Sequence, residues 1–288
     1  MDYGKLLGRA WNIVWEHKFL ILLGVLVALG SAGGGGNANL NVSLPRGDVQ
    51  EFDFRLPHPE ELGLPTGVLI GAVIVLIGIA LVVGIVLWAV STIARGGLIA
   101  GVNAIESGAP TDFGQAWRAG WEKKWPLLGI GVLPAIPGFI IGLGVAAAFV
   151  GLYLFKVGMG PRLANIGLVA PLAALACILV PIAVVLSALR IFANRACMLE
   201  DLGVFASYRR GVEVLVENIG PALILFLLQV AISIGLGIVL LVPGVVMALC
   251  CLLWPVLLLV QGAIASYFST LWTLAWREWT GLGHDIVA

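Results

Sequence analysis

Charge is what this chain has least of. Only 11% of its 288 residues are Asp, Glu, Lys or Arg, and 60% are apolar, whereas a soluble domain carries about 25% charged residues. Mean hydropathy is +1.07. Such a composition excludes a disordered or fibrous chain and assigns the protein to the membrane class. Sixteen basic residues balance sixteen acidic ones, so no cationic excess exists to hold a phosphate backbone, and nucleic acid is excluded as a partner. Four cysteines make no disulfide framework, because Cys250 and Cys251 are neighbours in one apolar run and Cys177 sits in another. The chain also lacks a phosphate-binding Gly-x-x-x-x-Gly-Lys, a His-Glu-x-x-His, a Cys-x-x-Cys and a dinucleotide fingerprint. Gly33 to Gly36 lead into Asn37-Ala38-Asn39 rather than a lysine, and they fray the end of an apolar run, since glycine is a poor helix former.

What is abundant is uncharged sequence of bilayer length. About 20 apolar residues cross a membrane, and six stretches without Asp, Glu, Lys or Arg qualify. They are Phe19 to about Gly36, Gly67–Ile93, Leu127–Phe155, Ile166–Leu189, Ile219–Val242, and a sixth that Pro243-Gly244 opens and that ends near Trp276. A charge inside any of them would cost about 2.5–3.5 kcal/mol. The first run is read as a retained span rather than a signal peptide, because the eighteen residues before it are long and amphipathic.

Basic residues set the orientation. Lys5, Arg9, Lys18, Arg95, Arg118, Lys123, Lys124, Arg190, Arg195, Arg209, Arg210 and Arg277 fall on one side, and only Arg46, Arg55, Lys156 and Arg162 on the other. Twelve against four places both termini in the cytoplasm. The loop 37–65 is then extracytoplasmic, with Asp48, Glu51, Asp53, Glu60 and Glu61 outweighing its two arginines.

An internal likeness organises the cytoplasmic side. Asp2-Tyr3-Gly4 is followed by Arg9-Ala10-Trp11 and Trp15; Asp112-Phe113-Gly114 is followed by Arg118-Ala119-Gly120-Trp121 and Trp125. A looser third copy begins at Val204-Phe205 and continues to Arg209-Arg210. Each copy has apolar residues at helical spacing: Tyr3, Leu6, Leu7, Ala10, Trp11 and Val14; Phe113, Ala116, Trp117, Gly120 and Trp121; Phe205, Tyr208, Val212, Leu215 and Val216. Thr111 or Asp112, and Asp201, are the expected N-caps. The fold class expected is all-α: a polytopic bundle of six transmembrane helices in three hairpin repeats, each preceded by an amphipathic cytoplasmic or interfacial helix. The repeats are 1–93, 94–190 and 191–288 of one membrane domain.

Tryptophan favours the headgroup layer, where its ring is buried and its N–H still finds a partner. The candidate inner-leaflet interface is therefore Trp11, Trp15, Trp117, Trp121, Trp125, Trp272 and Trp276, with Arg9, Arg118, Lys123, Lys124, Arg209 and Arg210. Caps packed under the bundle are the plainer reading of the same helices. Within the spans, Gln229 and Gln261 are the candidate polar contacts, read as bridges between helices rather than ligands. Pro134, Pro137, Pro181 and Pro255 kink their spans, and Gly67-x-x-x-Gly71 and Gly138-x-x-x-Gly142 allow close packing.

The motifs at Arg9-Ala10-Trp11, His17-Lys18, Ala94-Arg95-Gly96-Gly97-Leu98, Phe113, Ala116 to Trp121, Leu199 to Ser207 and Asn218 give the chain a resemblance over most of residues 1–235. It resembles uncharacterised prokaryotic multi-pass proteins related to the glycerophosphoryl diester phosphodiesterase membrane-domain family. In the enzymes of that family a catalytic barrel follows this region. Here twelve residues follow Trp276, so the resemblance implies the membrane region without the phosphodiesterase activity.

The function expected is non-enzymatic: a scaffold, accessory subunit or lipid-organising element of the cytoplasmic membrane. Its partners would be membrane lipids, with a protein partner or a second copy of the chain. A small permease or lipid-handling transporter, with a cavity at the kinked spans, is the alternative. For an enzyme the nearest cluster is Glu200-Asp201 beside Arg195, which a helix cap with an ion pair explains as well. No cofactor or metal is expected. His58 near Asp53, Glu60 and Glu61 reads as a solvated acidic loop, without the fixed spacing of a cation site.

Overall fold

A computed structural model describes residues 2–31, 66–144, 163–249 and 254–282. The glycines 33–36, the loop 37–65 with His58, and Cys250 and Cys251 lie outside them. The described residues form ten α-helices and no strand: α1 Tyr3–Glu16, α2 Phe19–Ser31, α3 Thr66–Glu106, α4 Phe113–Glu122, α5 Lys124–Val132, α6 Ala135–Gly144, α7 Leu163–Leu199, α8 Val204–Glu217, α9 Ile219–Leu249 and α10 Trp254–Trp279. Four of these helices are long and apolar enough to cross a membrane, or up to six if the bent pairs α1–α2 and α5–α6 each count as one span. At 1.5 Å per residue, α3 is about 60 Å long, twice the hydrocarbon thickness. Positions 93 and 190, expected as repeat boundaries, lie inside the continuous helices α3 and α7.

The helix ends follow local chemistry. Asp2 caps α1 by accepting from the backbone N–H groups of Gly4 and Lys5, and Asp112 caps α4 through Gln115. The Lys5 N–H holds the Asp2 carboxyl below its usual pKa. Asp201 does not cap α8. Gly203 stands at that position without a side-chain bond, while Asp201 takes a left-handed φ of 58° and pairs with Lys123 at 2.9 Å. Pro134 falls between α5 and α6, where the axis bends by 44°. Pro243-Gly244 does not turn the chain, because α9 continues to Leu249. A membrane helix tolerates such a proline when the freed backbone groups find other partners.

The core sits at one end. Leu20, Leu23, Leu98, Leu127, Ile130, Leu225, Leu271 and Trp276 are fully buried there. This is the end that carries α1, α4 and α8, with most of the described lysines and arginines, and it is called the basic end below. The opposite halves of α3, α7 and α9 expose Ile74 to Leu87, Ile178 to Val185 and Phe226 to Val239. So long an apolar surface is far beyond what water accommodates and marks the lipid-facing part of the bundle.

Glycines set the closest approaches. A Cβ on Gly24 would run into the Gly262 carbonyl and Ser266 Oγ, so α2 and α10 meet backbone to backbone; α3 and α4 meet in the same way at Gly97 and Gly120. The Gly-x-x-x-Gly expectation fails for the described members, because Gly71, Gly138 and Gly142 have open space around them. Polar bonds tie α2 to both α10 and α3. Ser266 Oγ donates to the Leu20 carbonyl at 2.7 Å, and Ser91 Oγ to the Val27 carbonyl at 2.9 Å.

Candidate functional site

Helices α1, α4 and α8 are the elements that carry candidate interface residues, and their packing divides each apolar stripe between an inner and an outer side. α1 buries Leu6, Ala10, Ile13 and Val14; α4 buries Ala116 and Gly120; α8 buries Ser207, Tyr208, Gly211 and Val214. Small and aliphatic side chains let α1 and α4 lie close against the bundle, whereas α8 also seats the aromatic Tyr208 there. Other apolar residues of the same stripes are left on an outward flank: Trp11 and Trp15 on α1, Phe113 and Trp121 on α4, Phe205, Val212 and Val216 on α8. Trp125, in the first turn of α5, is 75% exposed and Phe205 is 78% exposed. Each helix therefore has both an inner packed face and an outer apolar one, so the two readings of these helices describe opposite faces of one element.

Geometry on the flank is ordered. Phe113, Trp117 and Trp121 stack along α4 with successive ring centroids 6.4 Å apart, and Lys124 Nζ lies 4.5 Å from the Trp121 ring centre. Trp11 and Trp15 stand 5.4 Å apart. α1 meets α2 at 97°. If α2 stands along the membrane normal, α1 lies in the membrane plane.

The basic candidates divide. Arg118 and Arg209 are exposed, each bonded to a carboxylate one turn on, Glu122 and Glu213. Arg9 instead ties α1 to α3 through a two-pronged pair with Glu106, at 2.7 and 2.8 Å. Lys123 reaches Asp201 and also donates to the Cys197 and Met198 carbonyls at the end of α7. Arg210 bonds to Glu200 at 2.9 Å. Arg195 donates to the Ile191 and Ser269 carbonyls, so Glu200, Asp201 and Arg195 do not converge on one point.

Two of the tryptophan expectations need correction. Trp272 and Trp276 are interior, the latter with 0% exposure. Their helix, α10, is surrounded by α1, α2, α3, α7 and α9, and their rings pack around Phe192 instead of reaching lipid. The Trp272 indole donates to Gln229 Oε1 at 2.5 Å, so Gln229 bridges α9 to α10. Gln261 is half-buried on α10.

Arg195, Arg277 and Tyr208 are interior, and Arg190 is half-buried. Arg277 donates to the Asn103 side chain, to Ser107 Oγ and to the Leu282 carbonyl. Arg190 and Arg195 have a buried Nε without a hydrogen bond. Tyr208 donates to the Ile130 carbonyl at 2.9 Å, and burial pushes its hydroxyl up to about 12. The signal was present as arginines just past the uncharged runs, at Arg95 and Arg190, but sequence does not separate a snorkelling arginine from an enclosed one. Among the described residues, no three His, Cys, Asp or Glu side chains gather in a metal-binding group.

Among the described residues, four helices, or up to six, are long and apolar enough to cross a membrane, which suits a membrane protein by class. The chain belongs to a family of unknown function (DUF7544), whose model matches residues 14–281. No curated protein and no solved structure matches it.

Proposed function

We propose that this chain is a non-enzymatic, multi-pass protein of the cytoplasmic membrane, a scaffold, accessory subunit or lipid-organising element. Its basic end faces the cytoplasm, with both termini there. The observation that carries the reading is the outward aromatic flank of α1, α4 and α5, continued on α8 by Phe205. Helices with Trp and Phe on one side and Lys and Arg beside them bind at the headgroup boundary, through buried apolar area and attraction to anionic lipid. The proposal includes a threefold repeat, with α1, α4 and α8 as equivalent helices. The Asp2 and Asp112 caps, and the small packed residues Ala10, Gly120 and Gly211, support that equivalence. Kinship with the glycerophosphoryl diester phosphodiesterase membrane-domain family is part of the same proposal.

Native mass spectrometry of the protein gently extracted from its own membrane tests the function. The reading expects a stoichiometric protein subunit or retained phospholipid. Solute transport or turnover by the reconstituted protein, unchanged when Trp11, Trp15, Trp121 and Trp125 are all replaced by alanine, would overturn it.

A further inference from the structure

The amphipathic helices carry their cations and their carboxylates together. On α1, Arg9 pairs with Glu106 at 2.7 Å and Lys5 with Asp2 at 3.6 Å. Arg118 on α4 pairs with Glu122 at 3.2 Å, and Lys123, just past that helix, with Asp201 at 2.9 Å. On α8, Arg209 pairs with Glu213 at 3.2 Å and Arg210 with Glu200 at 2.9 Å. Of the basic residues expected at the inner-leaflet interface, Lys124 alone has no carboxylate partner among the described residues, and its Nζ lies 4.5 Å from the centre of the Trp121 ring.

The balance holds helix by helix. With His17 counted as neutral, α1 and its junction set Lys5, Arg9 and Lys18 against Asp2, Glu16 and the paired Glu106. α4 and the start of α5 set Arg118, Lys123 and Lys124 against Asp112, Glu122 and the paired Asp201. α8 sets Arg209 and Arg210 against Glu213, Glu217 and the paired Glu200. The first two groups are neutral and the third is negative by one charge. The other arginines of this end belong to the long helices, where Arg195 and Arg277 are buried and Arg95 and Arg190 half-buried. An exposed ion pair is weak, but the carboxylates of Arg118 and Arg209 stand one turn away on the same helix, so a negative charge reaches the leaflet with each cation. Of the two forces that hold such helices at a membrane, attraction to anionic lipid is therefore cancelled within the chain, and burial of apolar area is left. Trp11, Trp15, Trp121 and Trp125 supply that area, and an indole favours the headgroup layer whatever its charge.

We propose that the aromatic flank of α1, α4 and α5 docks on a lipid surface of zwitterionic headgroups, held by its indoles, and does not select anionic lipid. This rests on the interfacial reading above and names the class of lipid the flank takes.

The test uses the full chain in mixed bilayers of phosphatidylcholine and phosphatidylglycerol, with first one lipid and then the other brominated on its acyl chains. The signal is the tryptophan emission that is lost when Trp11, Trp15, Trp121 and Trp125 are replaced by phenylalanine. Its quenching gives the relative association constant of the two lipids at the flank. That constant is expected to favour phosphatidylglycerol by no more than about twofold, whereas each cation free to act on an anionic leaflet would raise it about fivefold. A larger preference for phosphatidylglycerol overturns the proposal and leaves the interfacial reading standing. Emission that neither brominated lipid quenches overturns both, so the two failures are distinct. Glu122→Gln supplies the converse. It frees Arg118, three residues before Trp121, and Glu122 is exposed, so the fold is kept. The preference for phosphatidylglycerol should then rise about fivefold at low salt and fall back at high salt. An unchanged constant in Glu122→Gln overturns the proposal.

Discussion

The Trp272 indole donates to the side-chain oxygen of Gln229 at 2.5 Å, joining α10 to α9. α9 otherwise exposes Leu223, Phe226, Leu227 and Ile234 and has little of its surface against the bundle. Ala222 and Leu225 turn into the core, and this bond adds a polar tie to the same orientation of α9. Gln229→Leu removes the acceptor and is expected to cost about 0.6 kcal/mol, up to about 1.7. Once Gln229 is gone, Trp272→Phe should lose nothing further through the bond. A double-mutant cycle by thermal unfolding in detergent measures the coupling, and strict additivity would show that the bond contributes nothing.

The α2–α10 seam depends on Gly24 and Gly262. Gly24→Val puts a branched side chain against the Gly262 backbone, and overpacking of this kind costs about 1–3 kcal/mol. Gly138→Val, made where nothing stands within 4 Å, should stay within about 0.5 kcal/mol. Melting temperatures of the two variants, compared in one detergent, give the contrast.

Lys123 and Asp201 form an ion pair whose two ends are unequal. Asp201 is 85% exposed and Lys123 only 26%. Exposed pairs contribute little, and asparagine also tolerates the left-handed backbone at position 201, so Asp201→Asn should cost a few tenths of a kcal/mol. Lys123→Met also strips the Cys197 and Met198 carbonyls of their donor and should cost about 1 kcal/mol. Equal losses in chemical denaturation would contradict the capping role.

Burial raises the Tyr208 hydroxyl from 10.0 to about 12, opposed by the nearby Arg190 charge. The unfolded chain releases this proton first, so between about pH 10 and 12 it binds fewer protons than the folded one. Stability from this group is then complete below pH 10 and is lost as pH rises through 12. Tyr208→Phe removes that decline along with the bond to Ile130. Stability measured from pH 9 to 12 should fall less steeply in the variant than in the wild type.

Part of this architecture was legible in the sequence, because a charge within a span is costly; the Asp112 cap was legible too, whereas Asp201, also expected to cap, leaves that place to Gly203. The division of the amphipathic stripes was not. Ala10 and Trp11 are adjacent on a broad apolar face, and only the close seat against the bundle decides that the small residue turns inward. Trp276 was misread for a related reason: an aromatic near a membrane boundary suits lipid and core equally well, and the neighbours of α10 decide. Pro243 looked like a turn because proline breaks helices in water, whereas a membrane helix can carry one. Arg190 was counted as a positive charge, and its place beside Trp88 and Gly131 depends on three helices far apart in the chain.

The central claim is that the outward tryptophans lie in the lipid headgroup layer. Fluorescence quenching in bilayers brominated either near the headgroup or near the chain ends tests it most directly, read as the difference between the wild type and a variant with Trp11, Trp15, Trp121 and Trp125 replaced by phenylalanine. The account predicts that the emission lost in the variant is quenched strongly by shallow bromine and weakly by deep bromine. If that emission is untouched by bromine at either depth and is quenched instead by aqueous iodide, these helices stand in water, and the interfacial reading is wrong.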